Sequence, residues 1–174
     1  MQGNSRVLVL PDCCVYPDWV IPILLATRVL IGEPFPAQKL PQLAGATLTV
    51  PAAEHVVVVD FFATWCGPCH EALPILVKLR EKFGDRVSFV FISEDEASRE
   101  KVARFAADFK LGGPVLLDPD HAVYDRVGVR KLPTTYIIDA AGIVRHINNG
   151  FGPGYEGRMA RWLRQTLPRR GAPP

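Results

Sequence analysis

The sequence predicts an α/β domain: a central mixed β-sheet flanked by helices on both faces, with a β-hairpin extension at its N-terminal side. Three observations predict it. Short β-branched runs alternate with stretches of helical spacing, the pattern of parallel strands joined by crossovers. Two β-rich runs late in the chain meet at Ala141-Gly142, which adds an antiparallel pair. The run from His55 to Phe62 is apolar almost throughout, as in a central strand covered on both faces.

The 174 residues, 48% of them hydrophobic, suffice for one domain with a full core but not for two. A charged fraction of 22% is that of ordinary globular material. The formal net charge of +2 argues against a nucleic-acid partner, which calls for a basic patch or stripe.

Residues 1–30 read as a leader. Its run "VLVL" is cut by Pro11 and Asp12, and "WVIPILLA" follows Asp18 and contains Pro22. Neither approaches the ~18 apolar residues of a spanning helix. A degenerate signal or anchor and an extension packed on the domain both stay open. Gly32-Glu33-Pro34 and Pro36 close the leader, so the domain is placed at 31–170, with "GAPP", 171–174, as a tail.

Within the domain, "LPQLAGATLTVP" predicts two short extended pieces around Ala44-Gly45, the hairpin. After the His55–Phe62 strand, Leu73, Leu76, Val77 and Phe83 repeat at helical spacing until Gly84 stops them. "RVSFVFI" is the next strand. Ser98 to Phe109 forms an amphipathic helix with Val102, Phe105, Ala106 and Phe109 on one face. "PVLLD" is extended, "HAVYDRVGV" a short helix ending at Gly128, and "TTYIIDAAGIVRHINNGF" the late hairpin. Tyr155 to Leu167 closes the chain as a helix.

Four cysteines fall into two pairs, Cys13-Cys14 and Cys66-x-x-Cys69, too few for a disulfide scaffold. Adjacent cysteines bridge each other only with strain, so Cys13 and Cys14 read as non-catalytic. Strand and helix place Cys66 at a helix N-terminus and Cys69 one turn inside, within bridging reach. Free N–H groups and the positive dipole end stabilise a Cys66 thiolate there. Comparable motifs lower a thiol pKa from ~8.5 to ~3.5–7.5. The thiolate attacks a disulfide, and the second thiol resolves the mixed disulfide. Pro68 suits the first helical turn, where a missing N–H costs little, whereas Pro74 should kink the helix. A zinc site needs two further ligands, which Cys13 and Cys14 supply only if the leader folds back over Cys66.

The segment "VDFFATWCGPCHEALP" resembles the thioredoxin active-site segment. The wider chain resembles the TlpA/ResA-type thiol–disulfide oxidoreductases of the thioredoxin-like superfamily. It does so through "IGEPFPAQKLPQLAGATLTV", the connection from Ser93 to Val129, and "LPTTYIIDAAGIV". The resemblance runs from about Ile31 to Leu167. It implies Cys66 as nucleophile and Cys69 as the buried resolving thiol. Trp65 would shield the pair, with Gly67 and Pro68 between the sulfurs. Pro133 would be a cis-proline facing them, and Leu132 would lie nearest the substrate.

Asp60 matches the buried acid of thioredoxin. Desolvation in so apolar a strand should raise its pKa and let it exchange a proton with Cys69 through water. Many TlpA-like chains carry Asn there. ResA-like members have Glu three residues after the second cysteine, where this chain has Ala72. Glu71 faces about 100° away and does not take over that role.

The expected function is thiol–disulfide exchange with disulfide-containing protein substrates, part of cell redox homeostasis. The Gly67-Pro68 dipeptide, shared with reducing thioredoxins, favours reduction. The resemblance implies no cofactor, a monomer and an upstream electron donor, membrane-bound by family habit. It places the protein in the bacterial periplasm, or membrane-attached and facing it, rather than in the cytoplasm. A peroxiredoxin-like peroxidase is the first alternative, but Val59 and Ala63 stand where its Pro-x-x-x-Thr-x-x-Cys motif needs Pro and Thr. A copper chaperone is the second, but those relatives usually space their cysteines one residue wider. His70 reads as a solvated helix residue, and His55, His121 and His146 as surface or strand residues without ligand spacing. Arg158, Arg161 and Arg164 read as a solvated face.

Overall fold

The computed structural model describes residues 28–51, 55–96 and 98–168. Cys13 and Cys14, and most of the leader, lie outside the described residues. A two-stranded antiparallel sheet pairs β1 (Gln38–Pro41) with β2 (Thr47–Val50), the expected hairpin. The main sheet contains β3 (Val56–Phe62), β4 (Val87–Ser93), β5 (Val115–Leu117), β6 (Thr134–Ile138) and β7 (Val144–Asn149) in the order β5-β4-β3-β6-β7. β3 runs parallel to β4 and antiparallel to β6, so the sheet is mixed. Every residue of β3 is buried, as its unbroken apolar run requires.

Alternation along β3 separates two cores. Val56, Val58 and Phe62 face a layer made by α1 (Gly67–Phe83), α2 (Arg99–Asp108) and α4 (Tyr155–Thr166), which contributes Leu73, Leu76, Val102 and Met159. Val57, Val59 and Phe61 face the opposite layer, where α3 (Ala122–Val127) supplies Val123 and Val127 and the hairpin supplies Leu40 and Val50. Val29 is buried in this second core and its N–H donates to the Val127 carbonyl. Among the described residues, core contacts thus start two residues before Ile31.

Asp60 has the parity of Val58 and Phe62 and is turned toward the α1–α4 layer. Cys69 is buried in that same layer.

The helix ends explain themselves chemically. Helix α1 starts with Cys66 as N-cap and Pro68 in the first turn, runs through Pro74, and stops at Gly84, whose φ of 55° suits a residue without a side chain. Ser98 caps α2 by accepting from the Lys101 N–H. Helix α3 is capped from a distance along the chain: Oδ2 of Asp118 accepts from the N–H groups of Val123 and Tyr124, at 2.9 and 3.0 Å. The nominal N-cap, His121, sits at a left-handed φ of 55° and makes no capping bond.

Candidate active site

Cys66 and Cys69 are joined by a disulfide, with their Cα atoms 5.3 Å apart. The Cys69 N–H, shared with the Cys66 carbonyl at 3.0 Å, also donates to Cys66 Sγ at 3.3 Å, so the first sulfur sits at the amide end of the helix. Cys66 is 5% exposed and Cys69 wholly buried, which leaves only the first sulfur open to attack. α1 carries no acidic residue in its first turn to offset the positive dipole end.

The loop entering α1 is clamped twice. Asp95, buried just past the end of β4, accepts the Thr64 N–H at Oδ2 (2.9 Å) and the Thr64 hydroxyl at Oδ1. Ser93 adds a hydroxyl donation to the same carboxylate at 2.8 Å. On the other side, His70 Nε2 lies 2.9 Å from the Thr64 carbonyl oxygen, and its ring packs edge-on against Phe105 and Phe109. His70 is exposed, as the sequence suggested, and its ring is in addition held against Phe105 of α2.

A cleft of about 630 Å³ opens beside Cys66. Trp65, Gly67, Pro68 and Leu132, all singled out from sequence, line it. Trp65 is 67% exposed, an unusual placement for so large an apolar side chain. The Leu132–Pro133 peptide bond is cis, and Pro133 itself is buried with its carbonyl accepting from the Gly150 N–H. Asp60 is not on this cleft: it is fully buried on the Cys69 side. Its Oδ1 accepts from the Thr135 hydroxyl at 2.7 Å, and that hydroxyl lies 3.0 Å from the Tyr155 hydroxyl. Desolvation pushes the Asp60 pKa up to about 7, against the pull of the Thr135 hydrogen bond.

Sequence reasoning missed the far wall of the cleft, built from Glu94, His121, Tyr124 and Asp125 with Arg130 and Lys131. His121 Nδ1 lies 2.8 Å from Glu94 Oε2, so His121 is no ordinary surface residue. One signal for Glu94 was legible: it is an acid directly after an apolar strand whose parallel neighbour ends at the cysteines. Sites in such sheets gather at the carboxyl ends of strands. His121 carried no comparable signal. Ala72 is buried and Glu71 exposed, so no carboxylate enters the site from the position three residues after the second cysteine. Arg158 donates to Asn148 and lies over Tyr155 and Trp162, whereas Arg161 and Arg164 are exposed as expected.

A model of the AhpC/TSA family matches residues 31–147. The chain belongs to that family. Among its relatives, the thioredoxin-like protein YneN of Bacillus subtilis is 32% identical over 122 residues, which cover 68% of this chain and 71% of YneN. The thiol-disulfide oxidoreductase YkuV of the same organism is 29% identical over 74% of this chain and 97% of its own. A crystal structure from Chlorobium tepidum, described as a thiol:disulfide interchange protein DsbE, superposes with a TM-score of 0.75 at 25% identity. It covers 80% of this chain and 99% of that one. StoA of Bacillus subtilis shares the fold, with a TM-score of 0.62 at 19% identity. Within the AhpC/TSA family this chain thus falls among thioredoxin-like proteins whose named activity is thiol–disulfide oxidoreduction, and its Cys66–Cys69 pair has the bonding that activity uses. Among the described residues, no helix is long and apolar enough to cross a membrane.

Proposed function

We propose that the Cys66–Cys69 couple reduces disulfides in protein substrates through a mixed disulfide on Cys66. The observation that carries this reading is the asymmetry of the pair. One sulfur caps a helix at the edge of a cleft, and the other is sealed in the core behind it.

In the reduced protein, the Cys69 N–H and the helix end hold Cys66 as thiolate. The thiolate attacks a substrate sulfur, and the substrate's S–S bond breaks as the Cys66–substrate bond forms. Cys69 then attacks Cys66 Sγ, closes the intramolecular disulfide and expels the reduced substrate. The proton that Cys69 must lose passes to Asp60 through water, a transfer suited to a carboxyl with a pKa of about 7. Trp65, Gly67, Pro68 and Leu132 hold the substrate chain along the cleft, with Pro133 setting the path of Leu132.

The protein works as a monomer outside the cytoplasm, in a periplasm or facing it, and an upstream donor, membrane-bound by family habit, restores the dithiol. The test is trapping. Cys69→Ser should accumulate a mixed disulfide with its protein partner, and Cys66→Ser should abolish insulin-disulfide reduction. Full activity in Cys66→Ser would overturn the assignment. A reduction potential near the oxidising extreme of the superfamily, about −120 mV, would reverse the direction. Peroxide turnover should be negligible, since Val59 and Ala63 replace the residues of a peroxidatic motif.

A further inference from the structure

The cleft beside Cys66 contains a carboxyl group that this scheme does not use. The Glu94 side chain is 1% exposed and lines the same cleft as Cys66. Its Oε2 is held by His121 Nδ1 at 2.8 Å, while Oε1 has no hydrogen-bond partner among the described residues. A buried carboxyl with one oxygen held and the other free is positioned to present a proton. We infer that Glu94, oriented by His121, is the proton donor to the sulfur that leaves the substrate disulfide. This rests on the thiol–disulfide reading above.

The step balances without an outside reagent. Cys66 thiolate forms a bond to one substrate sulfur as the substrate S–S bond breaks. The departing sulfur takes the electron pair of that bond and the proton of Glu94, leaving as a neutral thiol. His121 then faces the new carboxylate. Asp60 cannot do this, because it is buried behind Cys69 and absent from the cleft.

The surroundings agree. Burial raises the Glu94 pKa to about 8, opposed by the His121 hydrogen bond and reinforced by the nearby Asp118 and Asp125 carboxylates. Glu94 is therefore mostly protonated at neutral pH. Once Glu94 has given up its proton, its hydrogen bond and charge raise His121, with Glu96 on the other nitrogen adding to it. Tyr124 beside it is raised by burial and so stays neutral, and Arg130 and Lys131 are the cations on the cleft.

A free alkyl thiol has a pKa of ~8.5, so its departure near pH 7 gains from protonation. An aryl thiolate leaves without such help. The test is single-turnover oxidation of the reduced full-length protein by two small disulfides. One is bis(2-hydroxyethyl) disulfide, an alkyl disulfide, and the other is 5,5′-dithiobis(2-nitrobenzoate), an aryl one. Glu94→Gln should slow the alkyl reaction about tenfold or more at pH 7 while changing the aryl reaction less than about twofold. The gap should narrow above about pH 8, where the native carboxyl ionises. His121→Asn, at a half-exposed position, should show the same selectivity with a smaller loss.

An equal loss with both disulfides, or none with the alkyl one, overturns the inference and leaves the exchange reaction standing. If Glu94→Gln fails to fold, His121→Asn decides by the same ratio. A native protein that reduces neither disulfide sinks the exchange reading itself, and this inference with it.

Discussion

The Thr135 hydroxyl donates to Asp60 Oδ1 at 2.7 Å, across two residues that face each other where β6 pairs with β3. The second carboxyl oxygen, Oδ2, has no hydrogen-bond partner among the described residues. One hydroxyl does not replace the hydration of an ionised carboxylate, so burial wins and the acid is held toward its neutral form.

A pH signature follows. Because the folded pKa lies above the unfolded one, the native state binds this proton more tightly than the unfolded chain. The stabilisation is complete below about pH 4, is lost as pH rises toward 7, and is absent above it. Asp60→Asn removes this dependence. Its stability relative to the parent should rise by up to about 4 kcal/mol between those limits. Urea denaturation at pH 5 and pH 8 measures most of the difference, and parallel pH slopes in the two proteins would show that Asp60 is not so strongly perturbed.

The clamp on the Thr64 loop makes a second prediction. Asp95→Ala removes the acceptor of the Thr64 N–H, the Thr64 hydroxyl and the Ser93 hydroxyl in one step. A loss of about 2–4 kcal/mol is expected, since each donor is left buried without a partner. Asp95→Asn, which keeps one acceptor oxygen, should lose less. Denaturation curves give the stabilities, and the alkylation rate of reduced Cys66 should change in the same order.

Trp65 should behave in the opposite way. With 67% of its surface exposed it contributes little to the fold, so Trp65→Ala should alter stability by less than about 0.5 kcal/mol. Steady-state reduction of a protein disulfide should show KM raised about threefold to tenfold with kcat nearly unchanged, the loss of one apolar contact to the substrate. A collapse of kcat at constant KM would place Trp65 in the chemistry instead.

Gly113→Ala tests the packing behind the site. A Cβ there would collide with the carbonyl oxygen of Phe89 in β4, and backbone cannot move aside. A cost of about 1–3 kcal/mol is expected in urea denaturation. The exchange rate of the protein that remains folded should be unaltered, because Gly113 lies outside the cleft.

Local pattern carried much of this site. Cys66 and Cys69 are three residues apart, and strand-then-helix placed them at a helix end from spacing alone. Asp60 stood out as a charge in an apolar strand, and its face follows from alternation with Val58 and Phe62. His121 could not be found this way. It meets Glu94 from 27 positions along the chain, after α2 and β5 have intervened. Asp118 caps α3 and thereby helps fix where His121 stands, an arrangement of one loop with no periodic signature.

What the sequence by itself determined is therefore the couple, its helix, the central strand and the buried acid. Each depends on neighbours a few residues away and on the periods of helix and strand. Tertiary structure alone decided the partners: Thr135 for Asp60, Tyr155 for Thr135, Asp95 and His70 for Thr64, His121 for Glu94. Those pairs form where strand register and crossover paths bring side chains together across the middle strands and just past their ends. Those positions are set by the packing of both cores together, not by any short run of residues.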